Sequence, residues 1–175
     1  VTLDLMIHDI DLAVALAGEE PSEVRAAGAR VFSPTEDVAN ARLEFPSGCI
    51  ANATASRVSL KKERKVRIFQ DDGYFSLDLL SNAGVFIEKS EALKRGEIDP
   101  ARLNLASLGA AALTFQLEKL IHRVALRGDK TPALEAELAH FLACVREGRR
   151  PLVSGLEGLR ALRVAERIVA CMKRM

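Results

Sequence analysis

Long apolar runs are missing from this sequence: no stretch of eighteen apolar residues occurs, so nothing in it reads as a membrane-spanning helix. Charge of one sign is missing too. Lys and Arg number 25 against 24 Asp and Glu, a formal net charge of +1. That balance builds none of the basic field a nucleic-acid binder displays. Phosphate-cradling glycine motifs are absent, since no Gly-x-Gly-x-x-Gly, P-loop or nucleophile elbow is found, and no cofactor-binding residue is assigned in this chain. Cysteine is scarce. Cys49, Cys144 and Cys171 are odd in number and share no short metal spacing, so buried free thiols in a reducing compartment are expected. No signal peptide opens the chain, which sets the expectation of a cytoplasmic protein, and the abrupt start at Val1-Thr2-Leu3-Asp4 suggests a natural beginning further upstream.

What is present is ordinary for a globular domain. The 175 residues are 49% hydrophobic and 28% charged, and a single domain over 1–175 buries roughly 70% of its unfolded surface without staples. The densest basic stretch, Lys61-Lys62-Glu63-Arg64-Lys65-Val66-Arg67, alternates into a hydrophobic run and reads as a solvated turn and strand edge.

Periodicity supplies the elements. Leu3, Ile7, Ile10 and Val14 repeat at helical spacing and Gly18 offers a stop. Runs rich in β-formers follow at 24–32, 38–45, 49–59, 65–70, 74–79 and 85–89, divided by turn signals such as Pro46-Ser47-Gly48 and Asp71-Asp72-Gly73. In the third run Ala51, Ala53 and Ala55 share a face, which predicts close packing against a helix. Residues 90–112 read as a partly helical excursion, and 113–126 are ambiguous between helix and strand. Two helices close the chain. Thr131 and Pro132 start one with a stripe of Leu134, Leu138, Phe141, Leu142 and Val145; Ser154 caps another with Leu159, Leu162, Ala165, Ile168 and Val169 on its buried side. The fold class is α+β: an open, mostly antiparallel sheet of about six or more strands, with helices from both chain ends on one face.

One constellation stands out, Asp4-Leu5-Met6-Ile7-His8-Asp9-Ile10-Asp11. On a helix Asp4, His8 and Asp11 share a face. A carboxylate one turn from an imidazole orients it and stabilises its protonated form, as a general acid/base near neutral pH requires. The same pattern also suits a plain polar face. It makes a poor metal site, because Asp-x-x-x-His offers two ligands and no third is evident. His122 and His140 stand alone in amphipathic stretches.

The run from Asp4 to Leu12 with Gly18 and Pro21 resembles the start of the C-terminal domain in the glucose–fructose oxidoreductase / inositol dehydrogenase (Gfo/Idh/MocA) family. The likeness continues through Ala41-Arg42-Leu43-Glu44-Phe45-Pro46-Ser47-Gly48, Ala55-Ser56-Arg57 and Pro151-Leu152-Val153-Ser154-Gly155. It implies an N-terminal Rossmann domain, absent from this chain, that binds most of an NAD or NADP cofactor, joined to a C-terminal substrate-binding and oligomerisation domain. The family's catalytic histidine maps to His8 and its aspartate one turn earlier to Asp4; Asp11 and Arg57 become substrate-binding candidates. The family's catalytic lysine belongs to the Rossmann part and has no counterpart here. The stretch 55–78 resembles members acting on nucleotide-linked sugars, so a sugar or nucleotide-sugar is the implied substrate, and a basic side chain there suits an anionic diphosphate. The other reading is a non-catalytic sugar-binding or dimerisation module of the same fold; loss of His8 or Asp4 would favour it, and both are present. The strands 38–89 carry apolar residues on both alternating sets, including Val66, Ile68, Phe75, Leu77 and Phe86, which predicts a homo-oligomer formed through the open sheet face.

Overall fold

The helical periodicity at the chain start resolves into two windings in the computed structural model, which describes residues 1–99 and 119–172. Thr2–Met6 form a π-helical turn that runs into α1, Ile7–Ala17. The Val1 carbonyl accepts both the Leu5 N–H at 2.9 Å and the Met6 N–H at 3.3 Å, the second being the i→i+5 bond of a π turn. This looser winding moves the buried stripe to Thr2, Met6, Ile10 and Val14, each four residues after the last. Leu3, expected on that stripe, is instead 54% exposed. Gly18 ends the helix as expected, left-handed at φ 72° with its N–H on the Val14 carbonyl.

Among the described residues seven strands follow, all antiparallel, in the α+β arrangement expected. They form two sheets. The first has the order β1 (Glu23–Ala29), β2 (Val38–Glu44), β3 (Ile50–Ser56). The second has the order β4 (Lys65–Gln70), β5 (Gly73–Asp78), β6 (Ala83–Lys89), β7 (Ile121–Arg127). β7 settles Ile121–Leu126 of the ambiguous stretch as strand, while Lys119 and Leu120 are helical; residues 113–118 lie outside the described residues. Of the excursion, a short helix α2 (Glu91–Lys94) is capped by the Ser90 hydroxyl, which accepts the Leu93 N–H; its remainder over 100–112 is likewise outside the described residues. Two helices complete the order, α3 (Ala133–Glu147) and α4 (Gly155–Met172).

The chain divides into two compact units, one of Val1–Leu60 with Leu134–Met175, the other of Lys61–Ala133. In the first, α1 and α4 pack on each other and on one face of the three-stranded sheet. The alanine row reads as anticipated: Ala39, Ala41 and Ala55 are buried and Ala51 and Ala53 pack against the core of Met6, Ile10, Leu43, Val164 and Ile168. Side chains this small let helices close on the sheet. Arg167 of α4 donates to the carbonyls of Pro21 at 2.6 Å and Ser22 at 3.0 Å, tying the helix to the turn after α1. The opposite face of this sheet is polar. Thr54 donates to Asn40 at 2.8 Å and Arg42 pairs with Glu44 at 2.9 Å.

In the second unit, the two faces of the sheet differ. Phe75 stacks on Phe86 at 4.3 Å, and Val66, Ile68 and Leu77 lie on the same side by register. All of these are half-buried, and Val124, paired with Phe86, is 43% exposed. The three cysteines are free; Cys144 is buried and Cys171 half-buried, but Cys49 is exposed, contrary to expectation. It stands in the β2–β3 turn, where its carbonyl receives the Phe45 N–H at 2.9 Å and its side chain is left outside the alanine face.

Candidate functional site

The face of the opening helix that does not enter the core carries the chemistry. Burial of Met6, Ile10 and Val14 turns Asp4 and His8 outward: Asp4 is 69% exposed at its side chain and His8 is exposed, while Asp11 is half-buried. The π turn keeps Asp4 one winding before His8, and such turns recur at functional sites. No hydrogen bond engages the His8 imidazole among the described residues, so both ring nitrogens are open to a ligand.

Asp4 has a different partner. Its Oδ2 lies 3.2 Å from Nη2 of Arg57, which follows directly on β3. One winding of chain therefore presents an open imidazole beside a carboxylate–guanidinium pair. A guanidinium carries five N–H donors in a fixed fork, and Asp4 takes one, leaving donors for an anionic or hydroxyl-rich ligand.

Arg57 owes its place to a residue that sequence reasoning missed. Its backbone N–H donates to the Asp37 carbonyl at 2.8 Å. Asp37, 2% exposed, closes the β1–β2 loop: Oδ2 accepts the N–H groups of Val31 at 2.8 Å, Phe32 at 2.7 Å and Ser33 at 2.9 Å, and Oδ1 accepts the Ser33 hydroxyl at 2.7 Å. Those donors, Ser33 N–H first and Phe32 N–H next, hold the carboxyl well below the usual carboxylate range. The only signal in the sequence was an Asp ending a Ser-Pro-Thr-Glu loop.

A dinucleotide seat does not fit the described residues. Every strand pair described is antiparallel, whereas a pyrophosphate cradle needs a parallel βαβ unit with a glycine-rich turn at a helix start. Among the described residues no cluster of three or more His, Cys, Asp or Glu side chains is placed to hold a metal, and no helix is long and apolar enough to cross a membrane.

Comparison with known proteins adds a frame. Residues 1–76 match the model of the GFO/IDH/MocA C-terminal domain. A UDP-N-acetylglucosamine 3-dehydrogenase of Acidithiobacillus ferrooxidans is 33% identical over 165 residues, covering 94% of this chain and 46% of that protein. The solved structure of the dehydrogenase of that name from the same organism superposes with a TM-score of 0.80 at 30% identity, over 99% of this chain and 49% of that one. A levoglucosan dehydrogenase in complex with NADH and levoglucosan shares the fold alone, with a TM-score of 0.70 at 16% identity over 98% of this chain and 47% of that one. The chain thus spans about half the length of the relatives it matches.

Proposed function

Since this chain belongs to the Gfo/Idh/MocA family of oxidoreductases, we propose that residues 1–175 are the C-terminal, substrate-binding and acid/base half of an NAD(P)-dependent sugar dehydrogenase. The observation that carries the proposal is the open His8 imidazole standing one winding from an Asp4 carboxylate already paired with Arg57. His8 takes the proton of a ring hydroxyl as that carbon is oxidised. Asp4 and Arg57 fix the ligand beside it, and Asp11 holds a further hydroxyl. A dinucleotide held by the other half of the full-length protein supplies the hydride acceptor. With no seat for that cofactor among the described residues, the isolated chain is expected to be inert.

The substrate proposed is a nucleotide-linked sugar, and UDP-N-acetylglucosamine is the first to try. The likeness to the Acidithiobacillus ferrooxidans dehydrogenase supports this choice, and so do the unused Arg57 donors, which suit a diphosphate. We further propose a cytoplasmic enzyme that associates as a homo-oligomer through the apolar face of the second sheet. The experiment is direct: the full-length protein is mixed with NAD⁺ or NADP⁺ and a panel of free and UDP-linked sugars, and formation of the reduced nicotinamide is followed. Turnover of a UDP-linked hexosamine is expected. Turnover of free sugars alone removes the nucleotide-sugar reading, and no turnover of any sugar removes the dehydrogenase.

A further inference from the structure

Exposed apolar side chains on α3 and α4 stand at helical spacing, among them Leu159 and Leu162, expected on the buried side of α4 but 41% and 38% exposed. Phe32 is of another kind. It stands in the β1–β2 loop and is 87% exposed, with Val31 beside it also exposed. A lone apolar side chain in water is common on folded proteins, but the backbone under this one is pinned. The N–H groups of Val31, Phe32 and Ser33 all end on Oδ2 of Asp37, at 2.8, 2.7 and 2.9 Å, and the Ser33 hydroxyl reaches Oδ1 at 2.7 Å. Three successive N–H groups thus turn inward to a buried carboxylate, while the phenyl ring stays outside.

The same Asp37 holds Arg57. Its carbonyl accepts the Arg57 N–H at 2.8 Å. Phe32 and Arg57 therefore both hang on a single residue, one by its carboxylate and the other by its carbonyl. Register puts them at one end of the first sheet, where Ala29 pairs with Val38 and Val38 with Ser56. Asp4, one winding from His8, meets Arg57 there at 3.2 Å. Taken from His8 outward the order is Asp4, Arg57, Asp37, Phe32, and all of them lie in the first compact unit. A nucleotide-linked sugar has its parts in a matching order: the hexose, an anionic diphosphate, and a nucleoside whose base is a flat π surface.

We propose that Phe32 forms the nucleoside end of the substrate site, its ring stacking on the base of a nucleotide-linked sugar whose diphosphate Arg57 holds. The inference deepens the function proposed above and rests on its nucleotide-linked substrate. An aromatic ring suits the task, since it offers a large flat area with only two side-chain torsions to fix. Here the backbone is fixed beforehand as well, which lowers the cost of binding. Stacking reads the presence of a base rather than its identity, because every base has a π-face. Phe32 therefore sets a preference for the nucleotide-linked sugar over the same sugar without its nucleoside, and leaves the choice among bases to other groups. The Asp37 cradle is built on backbone N–H groups, so truncating the Phe32 ring removes the stacking surface and keeps the loop.

Calorimetric titration of the full-length protein with UDP, and with inorganic pyrophosphate as a probe lacking the base, tests the proposal. Phe32→Ala is expected to weaken UDP binding by about tenfold or more and to leave pyrophosphate binding as in the wild type. Phe32→Leu, apolar but without a π-face, should fall with it, and Phe32→Tyr, which keeps the ring, should bind UDP as the wild type does. Equal UDP affinity in the wild type and either ring-less variant would overturn the proposal, as would a wild type that binds no UDP. A parallel loss of UDP and pyrophosphate binding would overturn it too, by making the ring a structural support of Arg57. The ring-less variants are independent, so failure of one to fold leaves the other decisive. Turnover of the sugar panel on the same preparations separates the two claims. Oxidation of a UDP-linked hexosamine with UDP affinity indifferent to Phe32 removes the nucleoside site alone. Phe32-dependent UDP binding with no sugar oxidised upholds that site and removes the dehydrogenase.

Discussion

Asp4 and Arg57 stand 53 positions apart in sequence and meet at 3.2 Å, joining the opening π turn to the end of β3 beside His8. Both side chains are substantially exposed, and exposed pairs contribute little to stability. The pair's value therefore lies in where it holds the two groups. Arg57→Ala in the full-length protein should raise the substrate KM by roughly tenfold, with Arg57→Lys between it and the wild type because the planar fork is lost. Melting temperature should hardly move. A marked fall in Tm with KM unchanged would make the pair structural.

The Asp37 cradle predicts a pH dependence. Its folded-state pKa is depressed by the Ser33 and Phe32 N–H groups, so its contribution is fully present above the unfolded value of about 3.9 and is lost as pH falls below it. Asp37→Asn should lower Tm by a few degrees near pH 7 and flatten the wild-type decline below about pH 4. Glu157 keeps a share of that acid decline, since it too is lowered. Melts that run parallel for the two proteins across this range would contradict the account.

Close backbone approach makes Gly73 intolerant. A Cβ there would lie 2.1 Å from the Ile87 carbonyl oxygen across the β5–β6 pair. Backbone cannot swing aside as a side chain does, so Gly73→Ala should destabilise by at least about 1–3 kcal/mol. Gly48→Ala serves as a contrast of another kind: its Cβ meets nothing within 4 Å, and strain comes only from φ 87°. Chemical denaturation of both variants compares the two costs, and an undisturbed Gly73→Ala protein would refute the close approach.

Association is expected to depend on the apolar face of the second sheet. Val124→Glu, on an exposed position opposite Phe86, should lower the mass seen by light scattering without changing the far-ultraviolet circular dichroism. A matched change on the polar face of the first sheet, Thr54→Glu, should leave the mass unaltered. Equal masses for Val124→Glu and the wild type would move the interface elsewhere.

Much of this was legible from residue order. Turn chemistry marked the strands closely, as with Pro46-Ser47-Gly48, where Gly48 has the positive φ its position needs. The alanine face of β3 announced the helices that cover it. Other features rest on information that local pattern does not carry. Alternation shows that a run is a strand but not its partner, so the division into two sheets was hidden. One extra residue in a helical turn shifted the buried stripe from Leu3 to Thr2 and Met6, and no side chain signals such a turn. Asp37 binds backbone N–H groups, which are the same in every residue, so its cradle left little trace. The α3 stripe was read correctly as apolar; its five residues are nonetheless exposed, because whether an apolar row is covered depends on its neighbours in space and not on its own spacing. Asp4, His8, Asp11 and Arg57 were legible as candidates through the helical face and the family resemblance, while the Asp4–Arg57 pairing was not.

The most direct measurement of the central claim is turnover of the full-length protein carrying His8→Ala, with Asp4→Asn beside it. The open imidazole, if it moves the hydroxyl proton, is worth roughly 10²–10⁴ in rate. The account predicts a loss of kcat in that range for His8→Ala, with dinucleotide binding and Tm intact, and a smaller loss for Asp4→Asn. Full retention of kcat in the His8→Ala protein would contradict it and place the proton transfer outside this half of the molecule.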